Sequence, residues 1–283
     1  MWTTRYVMRD AKKVVDEIQS HIQKYAAASI DFLDLTAIIK KEWILAFCDE
    51  LKVRGIKITW QLPSGTRSEA LDYETLKAIY DAGCRYLVYA PESGSEETLH
   101  LIKKRIRLAR LCESVRQAVA IGHTVKINLI IGFPHERLRN VLRTLMLACR
   151  MAIIGAHDCN IKTFTPYPGS ELYDYLRSRG GGLTLNDDYF RGLIVQYDFT
   201  VSTSHSDHLK GWQLLASRIM GNVLFYLLSY GLRPGRIVRL AKQLRAERFQ
   251  ASNLFEQRIS DFIARRRCRR TDCRLPAAET LAH

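Results

Sequence analysis

A strand-like apolar run, a Gly/Pro break and a helix-like periodic segment recur in this chain between residues 29 and 165. The recurrence is roughly every 30 to 40 residues, the length of one βαβ unit. Apolar runs at 29–35, 56–62, 85–90, 127–131 and 160–165 have the composition of strands. Between them, helical spacing runs over 41–54, 72–82, 108–121 and 138–154 and stops at Gly55, Gly83, Gly122 and Gly155. An amphipathic segment from Asp10, with Val14, Ile18, Ile22 and Tyr25 in register, precedes the first strand. Strands that alternate with helices pair in parallel through right-handed crossovers, in an open sheet or a barrel. The predicted class is therefore α/β.

Parallel strands put their carboxyl ends on one rim, where ligands bind in such folds. Each run presents polar groups as it stops: Asp34, Arg67 just beyond its strand, Glu92 with Ser93, Glu136, and Thr165 with Tyr167. The stretch 126–136, KINLIIGFPHE, shows the pattern most sharply. One amide, Asn128, interrupts a branched apolar run, Gly132 and Pro134 end it, and a carboxylate comes directly after. An ordinary strand-to-helix turn, with Glu136 favouring the next helix N-terminus, explains the same residues.

The net charge of +14 implies attraction to something anionic, and much of the excess lies in 233–274. Seven scattered cysteines without a disulfide spacing, and no secretory signal, point to a reducing cytoplasmic compartment. Most of them fall in helical or strand patterns and read as small core residues, and Cys268 with Cys273 lacks two further ligands for a metal. Beyond Gly180 the βα rhythm fails, apart from a candidate strand at 193–197. Residues 212–232 are apolar but contain Arg218 and Asn222. They read as a core helix, with an interfacial helix beside anionic lipid as the rival. His205, Asp207 and His208 form either a metal cluster or a solvated loop. Basic helices with few interleaved aromatics disfavour nucleic acid.

Three segments in series carry a family likeness: DAGCRYLVYAPESGSEETLHLIKK at 81–104, INLIIGFPHE at 127–136 and FTPYPGSELY at 164–173. They resemble the radical S-adenosylmethionine (SAM) enzymes, most nearly the branch that carries an N-terminal cobalamin-binding domain. The opening 2–18 also resembles the segment after that family's cluster loop. The resemblance implies a partial (β/α) barrel over 1–180 that binds SAM across its strand ends, followed by a mostly helical, basic extension over 181–283. It implies that Asp34 meets the methionine amino group. Glu92, Ser93 and Gly94 would approach the ribose and methionine carboxylate, and Asn128, Ile130, Gly132 and Glu136 would pack on adenine. Arg67 joins this cofactor-binding set from its place on the rim.

Two departures stand out. His135 occupies a position that is Gly in the family, and no C-x3-C-x2-C motif for a 4Fe–4S cluster occurs. The expectation is an N-terminally truncated radical SAM enzyme that lacks the first strand and any cobalamin domain, holds no cluster and cannot cleave SAM. Cofactors of the full-length family are SAM, the 4Fe–4S cluster and, through the missing domain, cobalamin. The substrate class expected is anionic or lipid-associated, with peripheral membrane contact through the basic region. Two rival readings remain: a non-catalytic partner- or membrane-binding module, and an unrelated barrel with Glu92 or Glu136 as general base.

Overall fold

A computed structural model describes residues 7–34, 38, 40–66, 71–179, 183, 185–187, 189–190, 203–245, 253 and 255–260. Arg67, the glycines 180–182, the candidate strand at 193–197, Cys268 and Cys273 lie outside the described residues. The chain divides into two compact units, Met1–Gly231 and Leu232–His283.

The first unit opens with α1 (Ala11–Tyr25), which Asp10 caps by accepting from the Lys12 and Lys13 amides. There follow β1 (Ser29–Asp31), α2 (Lys41–Val53), β2 (Thr59–Thr66), α3 (Tyr73–Asp81), β3 (Cys84–Glu92), α4 (Glu96–Leu101) and α5 (Leu108–Ile121). Next come β4 (Thr124–Ile131), α6 (Leu138–Ile154), β5 (Asp158–Thr163), α7 (Glu171–Ser178) and α8 (Gly211–Gly231). All four strand pairs are parallel and the sheet order is β1-β2-β3-β4-β5. This is the predicted partial (β/α) barrel. The short helices α4 and α7 are too brief to show a clear periodicity in sequence.

The two faces of the sheet differ. Val125, Ile127, Leu129 and Ile131 of β4, with Cys159 and Ile161 of β5, have no exposed surface. They meet α5, α6 and α8, and each such side chain stabilises the fold by about 1.5–3 kcal/mol. The alternate residues Lys126, Asn128 and Ile130, and Asn160 and Lys162, are only half-buried. Register places Asn128 beside Asn160 and Ile130 beside Lys162 on this open face. In both strands, the residues that interrupt the apolar run are the ones that face the opening.

Two strand ends differ from expectation. β2 continues through Pro63 to Thr66, and β3 continues through Pro91 to Glu92. In each case the register shifts where the proline sits, between Leu62 and Thr66 and between Tyr89 and Glu92, so the missing N–H leaves no gap in the ladder. Glu92 takes φ 69°, a left-handed conformation that is costly for a residue with a Cβ. β1 is shorter than expected, three residues only.

Asp72 caps α3 as the sequence predicts, accepting from the amide and hydroxyl of Thr75, and pairs with Lys41 at 2.8 Å. Partial burial raises its carboxyl, but these donors outweigh that and hold it at about 2. A depressed carboxylate contributes stability above its unfolded value that is lost as pH falls through the folded one. Asp72→Ala is expected to cost about 1 kcal/mol at neutral pH. Most of that difference should vanish in urea titrations carried from about pH 4 toward pH 2.

Helix α8 packs one face into the core and leaves Trp212, Ile219, Met220, Val223, Leu224 and Leu227 exposed. Leu214, Ser217, Arg218, Gly221, Phe225 and Ser229 are buried, and the helix packs on α6 and β5. Arg218 is 1% exposed and its Nε donates to the Ile161 carbonyl at 3.0 Å. A Cβ at Gly221 would come within 2.5 Å of Ile161 Cδ1, so that side-chain end would have to shift. No helix among the described residues is long and apolar enough to cross a membrane. In the second unit, α9 (Pro234–Arg245) places Arg239 2.8 Å from the buried carboxylate of Glu256.

Candidate functional site

The carboxyl ends of β3, β4 and β5 form a mouth, and one buried polar network holds its wall. The PESGS turn after β3 is pinned to α6. The Ser93 and Thr144 hydroxyls are 3.0 Å apart, Gly94 N donates to Thr144 Oγ1 at 3.0 Å, and Ser95 N donates to Ser93 Oγ. Ser95 then caps α4 by accepting from Thr98 N, and it also accepts from Asn140 Nδ2. Thr98 Oγ1 donates to Glu136 Oε1 at 3.0 Å. Glu136 Oε2 accepts from Gly132 N at 2.6 Å and Phe133 N at 3.2 Å. The two motif turns are thus one hydrogen-bonded body.

This geometry sorts the residues named from the sequence. Ser93 and Glu136 are fully buried and hold the turns. Gly94 lies so close to α6 that a Cβ would sit 2.5 Å from the Arg143 carbonyl. Gly132, at φ 86°, leaves a space that Leu214 fills, so the close approach it allows is made by α8. Glu92, Asn128 and Ile130 are half-buried, the latter two on the open face. Asp34 is exposed at the end of β1 and lines a cavity of about 510 Å³ against α1. Three strand spacings, about 14 Å, separate β1 from β4, so Asp34 shares the rim without joining the mouth.

The electrostatics of the mouth involve several residues not named as site residues from the sequence, Lys104, Lys126, Asp158 and Lys162 among them. Lys104 pairs with Glu92 at 3.0 Å, and Lys126 pairs with Asp158 at 3.5 Å. Tyr226 OH also donates to Asp158 at 2.5 Å. Burial pushes the Lys162 ammonium down, the fields of Lys126 and Arg218 add to this, and Glu92 opposes it. Glu136's carboxyl is pushed up by burial against the pull of its three donors. Asn128 Oδ1 is buried with no hydrogen-bond partner. The alternation of Lys126 with Asn128, and of Asn160 with Lys162, was the available signal for these positions.

A strap closes the outer side. Ser206 Oγ donates to the Glu136 carbonyl, Asp207 N donates to the Pro134 carbonyl at 2.8 Å, and Arg179 pairs with Asp207 at 2.7 Å. The segment holding His205, Asp207 and His208 is therefore more than a solvated loop. Among the described residues no group of His, Cys, Asp or Glu could hold a metal ion. Phe133 stacks on His135 and tilts against Phe164, which meets His205 edge-on. A larger cavity of about 790 Å³ opens beside α2 and α3, and none of the candidate site residues named from the sequence lines it.

The described cysteines do not suit an iron–sulfur cluster. Cys48, Cys84, Cys112 and Cys159 are buried on separate elements. Burial pushes the Cys48 thiol up to about 12 and raises the others, whereas a cluster ligand must be a thiolate. SAM fits better. An adenine amine is a donor of the kind Asn128 Oδ1 lacks, and a carboxylate at the mouth suits an ammonium or a ribose hydroxyl.

A parallel half-barrel with a polar, hydrogen-bonded carboxyl-terminal mouth is the architecture in which α/β barrels place their ligand sites. Comparison with known proteins narrows this class. No family model matches the chain. It is 28% identical over 182 residues to an uncharacterized methyltransferase of Pyrococcus horikoshii, which covers 64% of this chain and 39% of that protein. It is 27% identical over 177 residues to an anaerobic magnesium-protoporphyrin IX monomethyl ester cyclase of Cereibacter sphaeroides, covering 62% of this chain and 28% of that one. In structure it matches the radical SAM methyltransferase TsrM from Kitasatospora setae, solved with cobalamin and a 4Fe–4S cluster bound. The TM-score is 0.54 at 15% identity, over 65% of this chain and 36% of that one. The chain shares the partial-barrel fold of that radical SAM methyltransferase and is similar in sequence to the methyltransferase and the cyclase. It spans between 28% and 39% of the length of these two curated relatives.

Proposed function

We propose that this chain is the SAM-holding portion of a radical SAM enzyme, of the kind that transfers methyl groups with cobalamin. The observation that carries the reading is Asn128 Oδ1, buried without a partner on the open face of β4. An unsatisfied buried acceptor costs about 1–3 kcal/mol, and a ligand amine relieves that cost. In this reading Asn128 receives the adenine edge and Ile130 packs on its ring. Glu92, bulged out of β3 and paired with Lys104, meets the polar end of the cofactor. Glu136, Ser93 and Gly94 touch no ligand; they keep the two turns at a fixed distance. When bound, SAM supplies the methyl group and the adenosyl moiety. The described cysteines do not fit a cluster, so no cleavage step is assigned to this chain, and the protein that carries the C-x3-C-x2-C loop is expected to supply it.

The test is equilibrium dialysis with radiolabelled SAM, followed by a 5′-deoxyadenosine assay after anaerobic iron–sulfur reconstitution. The chain should bind SAM, and Asn128→Leu should weaken binding about tenfold, the worth of one hydrogen bond. No 5′-deoxyadenosine should form. Binding that Asn128→Leu leaves intact would refute the site, and turnover would refute the assignment of cleavage elsewhere.

A further inference from the structure

Helix α8 is built inside out. Its exposed positions hold only apolar side chains and glycine, whereas its buried side holds Ser217, Arg218 and Ser229. A surface helix ordinarily turns its polar residues to water and its apolar stripe to the core. Here Trp212, Ile219, Val223 and Leu227 follow helical spacing along the outer side, with Met220 and Leu224 beside them. Helix α6 extends this surface. Its exposed positions are Leu138, Leu142, Met146 and Ile153, interleaved with Arg139, Arg143 and Arg150. Gly221 of α8 sits against both Ile161 of β5 and Leu145 of α6. The two helices therefore share one layer over the buried face of the sheet, and their outer sides look the same way.

The chemistry of that surface selects its occupant. Neither helix contains an Asp or Glu, and the sequence has none between Asp207 and Glu247. Glu97 of α4 pairs with Arg139 and acts on Arg143 in the first turns of α6, while Arg150 stands further along, between Met146 and Ile153. A second copy of the chain fits poorly, because face-to-face docking brings two arginine rows together with no carboxylate on either helix to answer them. A bilayer surface with anionic headgroups meets both needs. The aliphatic side chains and the Trp212 ring enter the acyl boundary, and the guanidinium groups meet the phosphates. No helix among the described residues is long and apolar enough to cross the bilayer, so the contact is lateral. We propose that the outer face of α6 and α8 binds an anionic phospholipid surface, with both helices lying along it. The proposal does not rest on the SAM reading, whose residues lie at the mouth of the sheet.

The experiment is sedimentation of the whole chain with phosphatidylglycerol vesicles and with phosphatidylcholine vesicles, at low and at high salt. Binding to phosphatidylglycerol should be about tenfold tighter than to phosphatidylcholine and should weaken as salt rises. Val223→Ser with Leu227→Ser removes side chains that are 50% and 65% exposed, so the fold should stand while phosphatidylglycerol binding falls by about tenfold or more. Arg143→Gln with Arg150→Gln should remove most of the preference for the anionic lipid, and this pair decides if the first does not fold. Leu33→Ser, 74% exposed at the opposite edge of the sheet, should change nothing. Binding that the serine pair leaves at the wild-type level would place the contact in the basic stretch 233–274 and overturn the proposal. Equal binding to the two lipids, or binding to neither, would overturn it as well. So would a lipid-free dimer in analytical ultracentrifugation that the serine pair dissociates, since the face would then belong to a second copy.

Discussion

Glu136→Ala is expected to destabilise the protein by about 4 kcal/mol, the largest effect of any single polar side chain at the mouth. Glu136 has no exposed surface and accepts from Gly132 N, Phe133 N and Thr98 Oγ1. Its removal strands three buried donors, each costing about 1–3 kcal/mol, and leaves a cavity. Glu136→Gln should stay within about 1 kcal/mol of wild type. The amide oxygen can take both backbone N–H groups, and its NH2 can donate to Thr98 Oγ1 instead of accepting from it. The pH dependence separates the two variants further. Burial holds the folded carboxyl above its ordinary value, so the stability this group contributes is complete at low pH and declines as pH rises through the folded value. Glu136→Gln should abolish that decline in urea titrations followed by circular dichroism. An alanine variant within 1 kcal/mol of wild type would show that the turns are held by something else.

Gly94→Ala should cost about 3 kcal/mol, far above the usual effect of adding one methyl group. A Cβ there would stand 2.5 Å from the Arg143 carbonyl, 2.8 Å from Leu147 Cβ and 2.9 Å from Thr144 Cα. Two of those atoms are helix backbone and cannot rotate away, so the turn must lift off α6. Lifting breaks the Gly94 N to Thr144 Oγ1 bond and separates Ser93 from Thr144. Gly231→Ala is the control. Nothing lies within 4 Å of its Cβ position, and the substitution should be neutral or should stabilise the end of α8 by a few tenths of a kcal/mol. Paired thermal melts of the two variants check the contrast. A Gly94→Ala melt that overlays wild type would overturn the close packing of the turn on α6.

Much of this architecture was legible in the sequence, because parallel strands buried on one face leave a strong apolar signal and α2, α3, α5 and α6 each stop beside a glycine. Gly122 and Gly155 end α5 and α6 with φ 114° and 121°. The strand ends were less legible. Pro63 and Pro91 look like terminators, and only the register shifts beside them let β2 and β3 continue. The motif residues stand out in the sequence, but their tasks do not. Ser93, Gly94, Gly132 and Glu136 were named for their place at strand ends, and the structure adds that they hold the turns. Their partners, Thr144, Leu214 and Thr98, lie on elements that no local pattern ties to those turns. The lysines of the open face escape notice because an alternating lysine in a strand looks like solvated surface. Only their half-burial on the open face sets them apart.

The strap across Pro134 and Glu136 has a consequence for how the protein is born. Its hydrogen bonds join residues about 70 positions apart in sequence, so they cannot form while a ribosome is still adding the segment that contains Ser206. The five strands emerge first and can pair one by one. The outer side of the opening stays unfastened until Asp207 has cleared the exit tunnel, and a nascent chain stalled before that point would display a finished sheet with an unlatched door.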